Sequence, residues 1–433
     1  MWHGGGKKCK ETVNMAYDIL IRNGTILPMA PGAPGVMDRG YILVKDGEIV
    51  KVEKGDPSPL SADAAVVIDA ASKIVMPGLV NCHTHLPMSM FRGLADDLPL
   101  DVWLNEHIFP AEAEHVNPDS VKRFSAHSVK EMLLSGTTCC CDGYFLEQSV
   151  AEAVLESGIR SVLGHGVIDF PAPGVPDPEK NVDTAVRFSR NLAGRSSRVH
   201  PSIFCHSPYT CSEKTLVNAK QAADDLGILF QIHAAETERE NGLAGGEKEE
   251  SVIAYLDRIG VLDEKTLLVH SVWVDETDIQ IIRDSGCPVA HCAQSNMKLA
   301  SGVAPVPRML AAGITVGMGT DGCASNNNLD LFEEMDTVAK LHKCANLDPC
   351  AADAETVVKM ATIEGAKALG LGDVTGSLEE GKRADIILVD TERPHLVPAY
   401  NPFSMLAYTA RGSDVTDVIV DGIIRVTDSV LQP

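Results

Sequence analysis

Hydrophobic positions along this chain change rhythm twice. From Tyr17 to Val75 they alternate with polar ones in the short runs YDILIRNGTIL, GYILVKDGEIVKVEKG and AVVIDA. That is the two-residue period of strands with one buried face. Asn23-Gly24 and Asp46-Gly47 fall between apolar runs and predict hairpin turns. The same rhythm returns in GKRADIILVD and DVTDVIVDGIIRV, where Asp421-Gly422 predicts another turn. Two distant segments with one grammar predict a small β-sandwich domain built from both chain ends, 17–75 together with 371–433.

Over 76–370 the pattern is different. Short continuous apolar runs, the mark of strands buried on both faces, alternate with amphipathic stretches such as SVKRFSAHSVKEMLLSG and TLVNAKQAADDLG. The runs are IVMPGLVNCH, TTCCCDGYF, IRSVLGHGVI, VHPSIFCHSP, ILFQIHAAE, TLLVHSVWV, PVAHCAQS and ITVGMGTDG. Eight strands alternating with helices predict an α/β fold, a (β/α)8 TIM barrel.

Composition narrows the function classes. With 433 residues and 45% hydrophobic content the chain can bury a large core. A formal net charge of −23 opposes both a nucleic-acid backbone and an anionic membrane surface, so the expected partner is a small neutral or cationic molecule. The leader MWHGGGKKCKETVNM has no apolar core behind its basic residues, and residues 1–16 are expected to be disordered. No run reaches the roughly 18 apolar residues of a membrane span. Twelve cysteines, three of them consecutive at 139–141 and none in a C-x-x-C pair, are expected to be reduced, buried and cytoplasmic. The number of subunits is left open, a homo-oligomer included.

Chemistry enters at the strand ends. The first predicted barrel strand finishes with His83 and His85, the fourth with His206, the fifth with His233 and the sixth with His270; the seventh carries His291 and the eighth ends in Asp321. In a barrel these C-terminal ends converge on one mouth. His83 and His85, two apart, share a strand face and can grip one ion together. Imidazoles with a carboxylate are ligands for a borderline divalent metal such as zinc, so His83, His85, His233 and Asp321 are predicted to hold one. His291 reads instead as a packing residue. Such an ion lowers the pKa of bound water to roughly 7. Glu236, three residues past His233, is placed to take the water's proton and deliver it to a ring nitrogen of a substrate.

PGLVNCHTH, the H-x-x-E of His233 to Glu236, His270 in LLVHSVWV, QSNMKLASGVAPVPRML and GMGTDGCASNNNLDLFEEM together resemble the amidohydrolase superfamily. Within it they resemble the branch of 5-methylthioadenosine/S-adenosylhomocysteine deaminases, which includes 5′-deoxyadenosine deaminases. The resemblance implies hydrolytic deamination of a 5′-modified adenosine to the inosine analogue and ammonia. It implies that His270 orients the attacking water and that Asp321 both ligates and passes a proton to the departing ammonia. It also implies a substrate-facing Trp103, a ribose-binding Glu112, a purine contact from His206 and a further contact from Ser325. Binuclear relatives carry a bridging acidic ligand, usually a carbamylated lysine, at the fourth strand; VHPSIFCHSPYTCS has no lysine, which predicts one ion per chain, with zinc, Fe2+ and Mn2+ all open.

One departure bears on the substrate. Relatives accepting S-adenosylhomocysteine have arginines near the third strand, whereas SVLGHGVIDFPAPGVPDPEKN has none, with His165 and Lys180 as the only cationic substitutes. Short uncharged 5′ groups are therefore expected to be preferred. Gly317 to Gly322 matches G-x-G-x-x-G but comes too late in the chain for a dinucleotide fold, and the nucleic-acid deaminase pattern is missing. The rival readings are an enzyme of the same kind acting on aminodeoxyfutalosine, guanine, a pterin or a triazine, and a non-catalytic barrel serving in assembly. Glu112 separates the first rival, because only a ribose needs a diol acceptor, and the unbroken ligand set separates the second.

Overall fold

A computed structural model describes residues 15–241 and 250–433. The expected leader falls, up to residue 14, outside the described residues. The first five strands are β1 (Tyr17–Ile26), β2 (Met37–Lys45), β3 (Glu48–Lys54), β4 (Ala64–Asp69) and β5 (Lys73–Pro77). Eight further strands follow: β6 (Leu79–Thr84), β7 (Thr137–Tyr144), β8 (Arg160–Val167), β9 (Val199–Cys205), β10 (Leu229–Ala234), β11 (Thr266–His270), β12 (Val289–His291) and β13 (Val316–Met318). They form one parallel sheet in chain order. The last four are β14 (Ile386–Asp390), β15 (Val415–Val420), β16 (Ile423–Thr427) and β17 (Val430–Leu431).

Helices fill the predicted gaps. Asn117 caps the helix Pro118–Leu134 by accepting from Ser120 N at 3.0 Å, and Gly227, at φ +68°, ends the helix Glu213–Leu226. The cysteine run explains itself as a strand of period two. Cys139 and Cys141 fill the barrel interior with Cys82 and Cys292, while Cys140 faces the helical layer. Among the described residues the cysteines are free, and all but Cys344 and Cys350 are buried.

The barrel nearly closes between β6 and β13. The Asn81 amide donates to Thr320 Oγ1 at 2.8 Å and accepts from Thr320 N at 3.0 Å, and Asp321 N donates to His83 O at 3.0 Å. The glycine motif belongs to this seam. A Cβ on Gly317 would stand 2.4 Å from Cys82 Sγ, and one on Gly319 would stand 2.8 Å from His83 Cβ. Those glycines let two strands approach.

Two expectations need correction. IVMPGLVNCH is two strands: β5 pairs with β1 and β14, and only after Gly78 does β6 enter the barrel. Gly78 is the corner because a Cβ there would lie 2.0 Å from Thr138 Oγ1. Asn23-Gly24 lies inside β1 as a bulge, with Asn23 at φ +65° and the β2 register shifting on both sides of Gly24; Asp46-Gly47 and Asp421-Gly422 do turn hairpins. As expected, both chain ends join in a second, small β domain, here one continuous nine-stranded sheet that curls on itself. Its inner face packs Ile21, Ile42, Ile49, Val75, Ile386, Leu388 and Ile419, and its curl is held by Ile49 N donating to Lys382 O at 2.8 Å. Among the described residues no helix is long and apolar enough to cross a membrane.

Candidate active site

The C-terminal ends of the barrel strands surround a partly open cleft. His83 lies within β6, His85 just beyond it, His233 near the end of β10, and Asp321 beyond β13. One ligand atom from each falls within 4.8 Å of the others. His83 Nε2 stands 3.1 Å from His233 Nε2 and 3.4 Å from Asp321 Oδ1, and His85 Nε2 is 3.3 Å from the same oxygen. Donor atoms at about 2.0–2.1 Å from a tetrahedral zinc sit roughly 3.3 Å apart, so these spacings fit a shared ion.

Protonation supports the same fit. Burial pushes His83 down to about 4 and holds His233 well below its ordinary value, so both imidazoles are neutral at pH 7. Burial opposes ionised Asp321, yet its contacts with His83 and His85 outweigh that and keep the carboxyl well below the usual range. Three imidazole nitrogens and a carboxylate oxygen converge on one point, a donor set that suits a divalent cation. His85 Nδ1–H donates to the Gly143 carbonyl at 2.6 Å, which reserves Nε2 for the ion.

Around this cluster the backbone is bent to aim side chains inward. Ala235, His270, Ser271 and Asp321 all have φ between +46° and +75°. Such non-glycine conformations cost on the order of 1–3 kcal/mol each and gather where function over-determines them. Glu236 is buried, 3.8 Å from His270 Nε2, and burial together with the Asp321 carboxylate pushes its carboxyl up to about 8. His206, pushed down to about 3 by burial and by His85, engages Thr210 Oγ1 through Nδ1 at 2.9 Å and keeps Nε2 for the cleft. Ser325 Oγ donates to Asp321 Oδ2 at 2.9 Å and also lines the cleft.

Away from the cluster the walls turn apolar. Trp103 begins a π-helical turn, Trp103–Ile108, between two short α-helical segments, and lines the cleft with Leu100, Leu104, Phe109 and Phe145. Glu112, 6% exposed, stands among them with its Oε1 accepting from Tyr144 Oη at 2.5 Å. Burial pushes its carboxyl up to about 7.

The Amidohydrolase family matches residues 74–424. The chain belongs to the amidohydrolase family. It is 44% identical over 416 residues to a 5-methylthioadenosine/S-adenosylhomocysteine deaminase of Syntrophobacter fumaroxidans, which spans 95% of this chain and 93% of that one. It is also 44% identical over 412 residues to a 5′-deoxyadenosine deaminase of Methanosarcina mazei, spanning 95% and 93%. Among solved structures, an adenosine deaminase from Xanthomonas campestris with bound zinc superposes with a TM-score of 0.92 at 35% identity, over 96% of this chain and 94% of that one.

Within this amidohydrolase the cleft gathers all the candidate residues: His83 lies beneath it in the ligand cluster, and the others line it directly. His291 turns away and sets its Nε2 3.2 Å from His342 Nε2 under the helix Leu331–Asn346, as a packing residue would. The two cationic substitutes do not reach the cleft. His165 packs against Phe188 in the helical layer and burial drives it down to about 4, while Lys180 is exposed and pairs with Asp177. Four site residues escaped the strand-end reading. Asp142 accepts from Leu86 N at 2.6 Å and Thr84 Oγ1 at 2.8 Å, which fixes the backbone on both sides of His85. Ser295 donates to Asp321 Oδ2 at 2.7 Å, and Asn296 Oδ1 meets His270 Nδ1 at 2.9 Å. Tyr144 ends β7 in DGYF, so the strand-end rule could have found it had it looked beyond histidine and acid.

Proposed function

We propose that this amidohydrolase removes the 6-amino group of an adenosine with a modified 5′ position, adding water and releasing ammonia and the inosine analogue. One divalent ion, zinc by the chemistry of its ligands, would be held by His83, His85, His233 and Asp321. Bound there, it would act as a Lewis acid that makes water nucleophilic near neutral pH. The carrying observation is a single cleft with that cluster at one end and the Glu112 carboxylate among apolar walls beyond it.

The chain's own groups have separable tasks. Glu236, with its carboxyl raised to about 8, holds a proton at pH 7 and can place it on the ring nitrogen beside the amino-bearing carbon, which makes that carbon electrophilic. His270 is steadied through Nδ1 by Asn296, so its Nε2 can orient the incoming oxygen. Asp321 Oδ2, bonded by Ser295 and Ser325, can receive a proton and pass it to the leaving amine. His206 is left with Nε2 for the purine. Glu112 is an acceptor for the two ribose hydroxyls, a need that guanine, pterins and triazines do not have.

Among the described residues no arginine or lysine lines the cleft, and its far wall is Leu100, Leu104, Phe109 and Phe145. A charged amino-acid tail would lose its hydration there without gaining a partner, so we favour 5′-methylthioadenosine and 5′-deoxyadenosine over S-adenosylhomocysteine. The test is to incubate metal-loaded protein with adenosine, those three compounds and guanine in parallel, following ultraviolet absorbance and ammonia. The expected order places the short 5′ groups first. Intact nucleosides with fully metallated protein would overturn the reading in favour of a free ring substrate.

A further inference from the structure

Glu112 sits on a segment that belongs to no barrel strand. Its helix, Phe109–His115, follows directly on the π-helical turn and is reached through a stretch containing Gly93 and Asp97, both at positive φ. Among the described residues the one hydrogen bond to the Glu112 carboxylate comes from outside that segment, from Tyr144 Oη to Oε1 at 2.5 Å. Tyr144 is the last residue of β7, 4% exposed, with its ring tilted against that of Phe145 at 5.4 Å. It belongs to the rigid frame that also carries the metal-ligand cluster, and its ring lies 6.2 Å from that of His85.

From this we infer that Tyr144 is the positioning residue that ties the ribose acceptor Glu112 to the barrel, and thereby sets discrimination between ribose and deoxyribose nucleosides. The inference rests on the proposed deaminase reading. A tyrosine hydroxyl can donate only once, and here the donation goes to Oε1. One lone pair of Oε1 and both of Oε2 then remain for a vicinal diol. The carboxylate is held by a group whose distance from the ligand cluster is set by the barrel strands and not by residues 93–108. A base seated at the cluster and a diol seated at Glu112 are thus measured against the same strands.

The experiment compares adenosine with 2′-deoxyadenosine in the wild type, Tyr144→Phe, Glu112→Gln and the double variant, all metal-loaded. In the wild type, kcat/KM should favour adenosine by about 100-fold or more, because a site built to bond a hydroxyl rejects an analogue lacking it. Tyr144→Phe should shrink that preference about tenfold, through KM for adenosine, with kcat changed by no more than about threefold. In the Glu112→Gln background the same change should have no further effect on the preference, since the two residues act as one unit. Dissociation constants for inosine and 2′-deoxyinosine, measured by calorimetry, should repeat the pattern without turnover. Tyr144→Phe lowering both substrates equally, or adding its full effect to Glu112→Gln, would overturn the inference. A wild type that deaminates neither nucleoside, nor 5′-methylthioadenosine or 5′-deoxyadenosine, would instead sink the functional reading itself. Should Tyr144→Phe fold poorly, Tyr144→Trp, which retains an N–H donor on a larger ring, supplies the second variant and should keep part of the preference.

Discussion

The barrel buries charge at both ends, and the two ends are built on opposite terms. At the base, Arg160 is fully buried where β8 begins. Its Nε donates to Asp385 Oδ2 at 2.6 Å, and Nη2 donates to Asp385 Oδ1 and Asp421 Oδ1, each at 3.2 Å. Arg383 Nε adds a bond to Asp421 at 2.6 Å, and Asp421 N donates to Asp385 Oδ1 at 2.7 Å. Donors meet acceptors, and the network staples the barrel to the curled sheet. At the mouth, groups that are metal ligands by chemistry crowd together: Nε2 faces Nε2 at 3.1 Å, with a carboxylate oxygen 3.4 Å away. A satisfied cluster holds a fold together, and an unsatisfied one held rigid by the fold is waiting for a ligand.

Removing a proton carrier from the mouth should produce the largest effect. Glu236→Gln keeps shape and size but cannot shuttle a proton, and kcat should fall by about 10²–10⁴-fold. Bound metal per chain should stay at the wild-type level. Because the substitution also removes a buried acid, thermal stability should hold or rise. Substantial turnover in this variant would remove Glu236 from the chemistry.

At the base the same logic predicts damage to stability and none to chemistry. Arg160→Met strands Asp385, itself buried, without its cation, and the cost should be about 3–5 kcal/mol. Denaturant unfolding measures that loss, while metal stoichiometry in the folded fraction should not change. Replacing Asp385 with Asn in the same chain should recover part of the lost stability, since the stranded charge is then gone. If metal is lost along with stability, the two ends are not independent and the contrast between them fails.

How much of this was legible beforehand follows from which signals are local. The eight strand runs and the residues at their ends are written in hydrophobic period and residue type, so His83, His85, His233, His270 and Asp321 could be placed at one mouth. The curl of the mixed sheet and the split at Gly78 depend on partners more than 50 residues away, such as Thr138 and Val389, and no local pattern carries them. Asn23-Gly24 misled because the same dipeptide serves a bulge as well as a turn. Ser295 and Asn296 have no periodic signal at all; they are polar residues at the start of a short helix, Ala293–Lys298, that acquire meaning only beside Asp321 and His270. His165 carried the wrong implication because strand alternation sends it outward while Gly166 faces the cleft.

The smallest effect concerns pH and separates Glu112 from the rest of the mouth. Its carboxyl is raised by burial to about 7, against an ordinary value near 4.3, so the folded protein carries the proton across that window and releases it as pH rises. Only the ionised form accepts from both ribose hydroxyls with full strength. The ratio of kcat/KM for adenosine to that for 2′,3′-dideoxyadenosine should therefore climb about tenfold from pH 6 to pH 8, with its midpoint near 7. Taking the ratio cancels titrations shared by both substrates, those of Glu236 and of the metal cluster included. Glu112→Gln should flatten it. The same proton sets a stability trend of opposite sign: the wild type should lose stability relative to Glu112→Gln as pH rises from about 4.3 to about 7, keep that deficit above pH 7, and converge with the variant below about pH 4. A ratio that rises while the stability difference stays flat would place the titrating group on the substrate side of the cleft, outside Glu112, and the contrast between a waiting mouth and a satisfied base would then rest on the metal cluster alone.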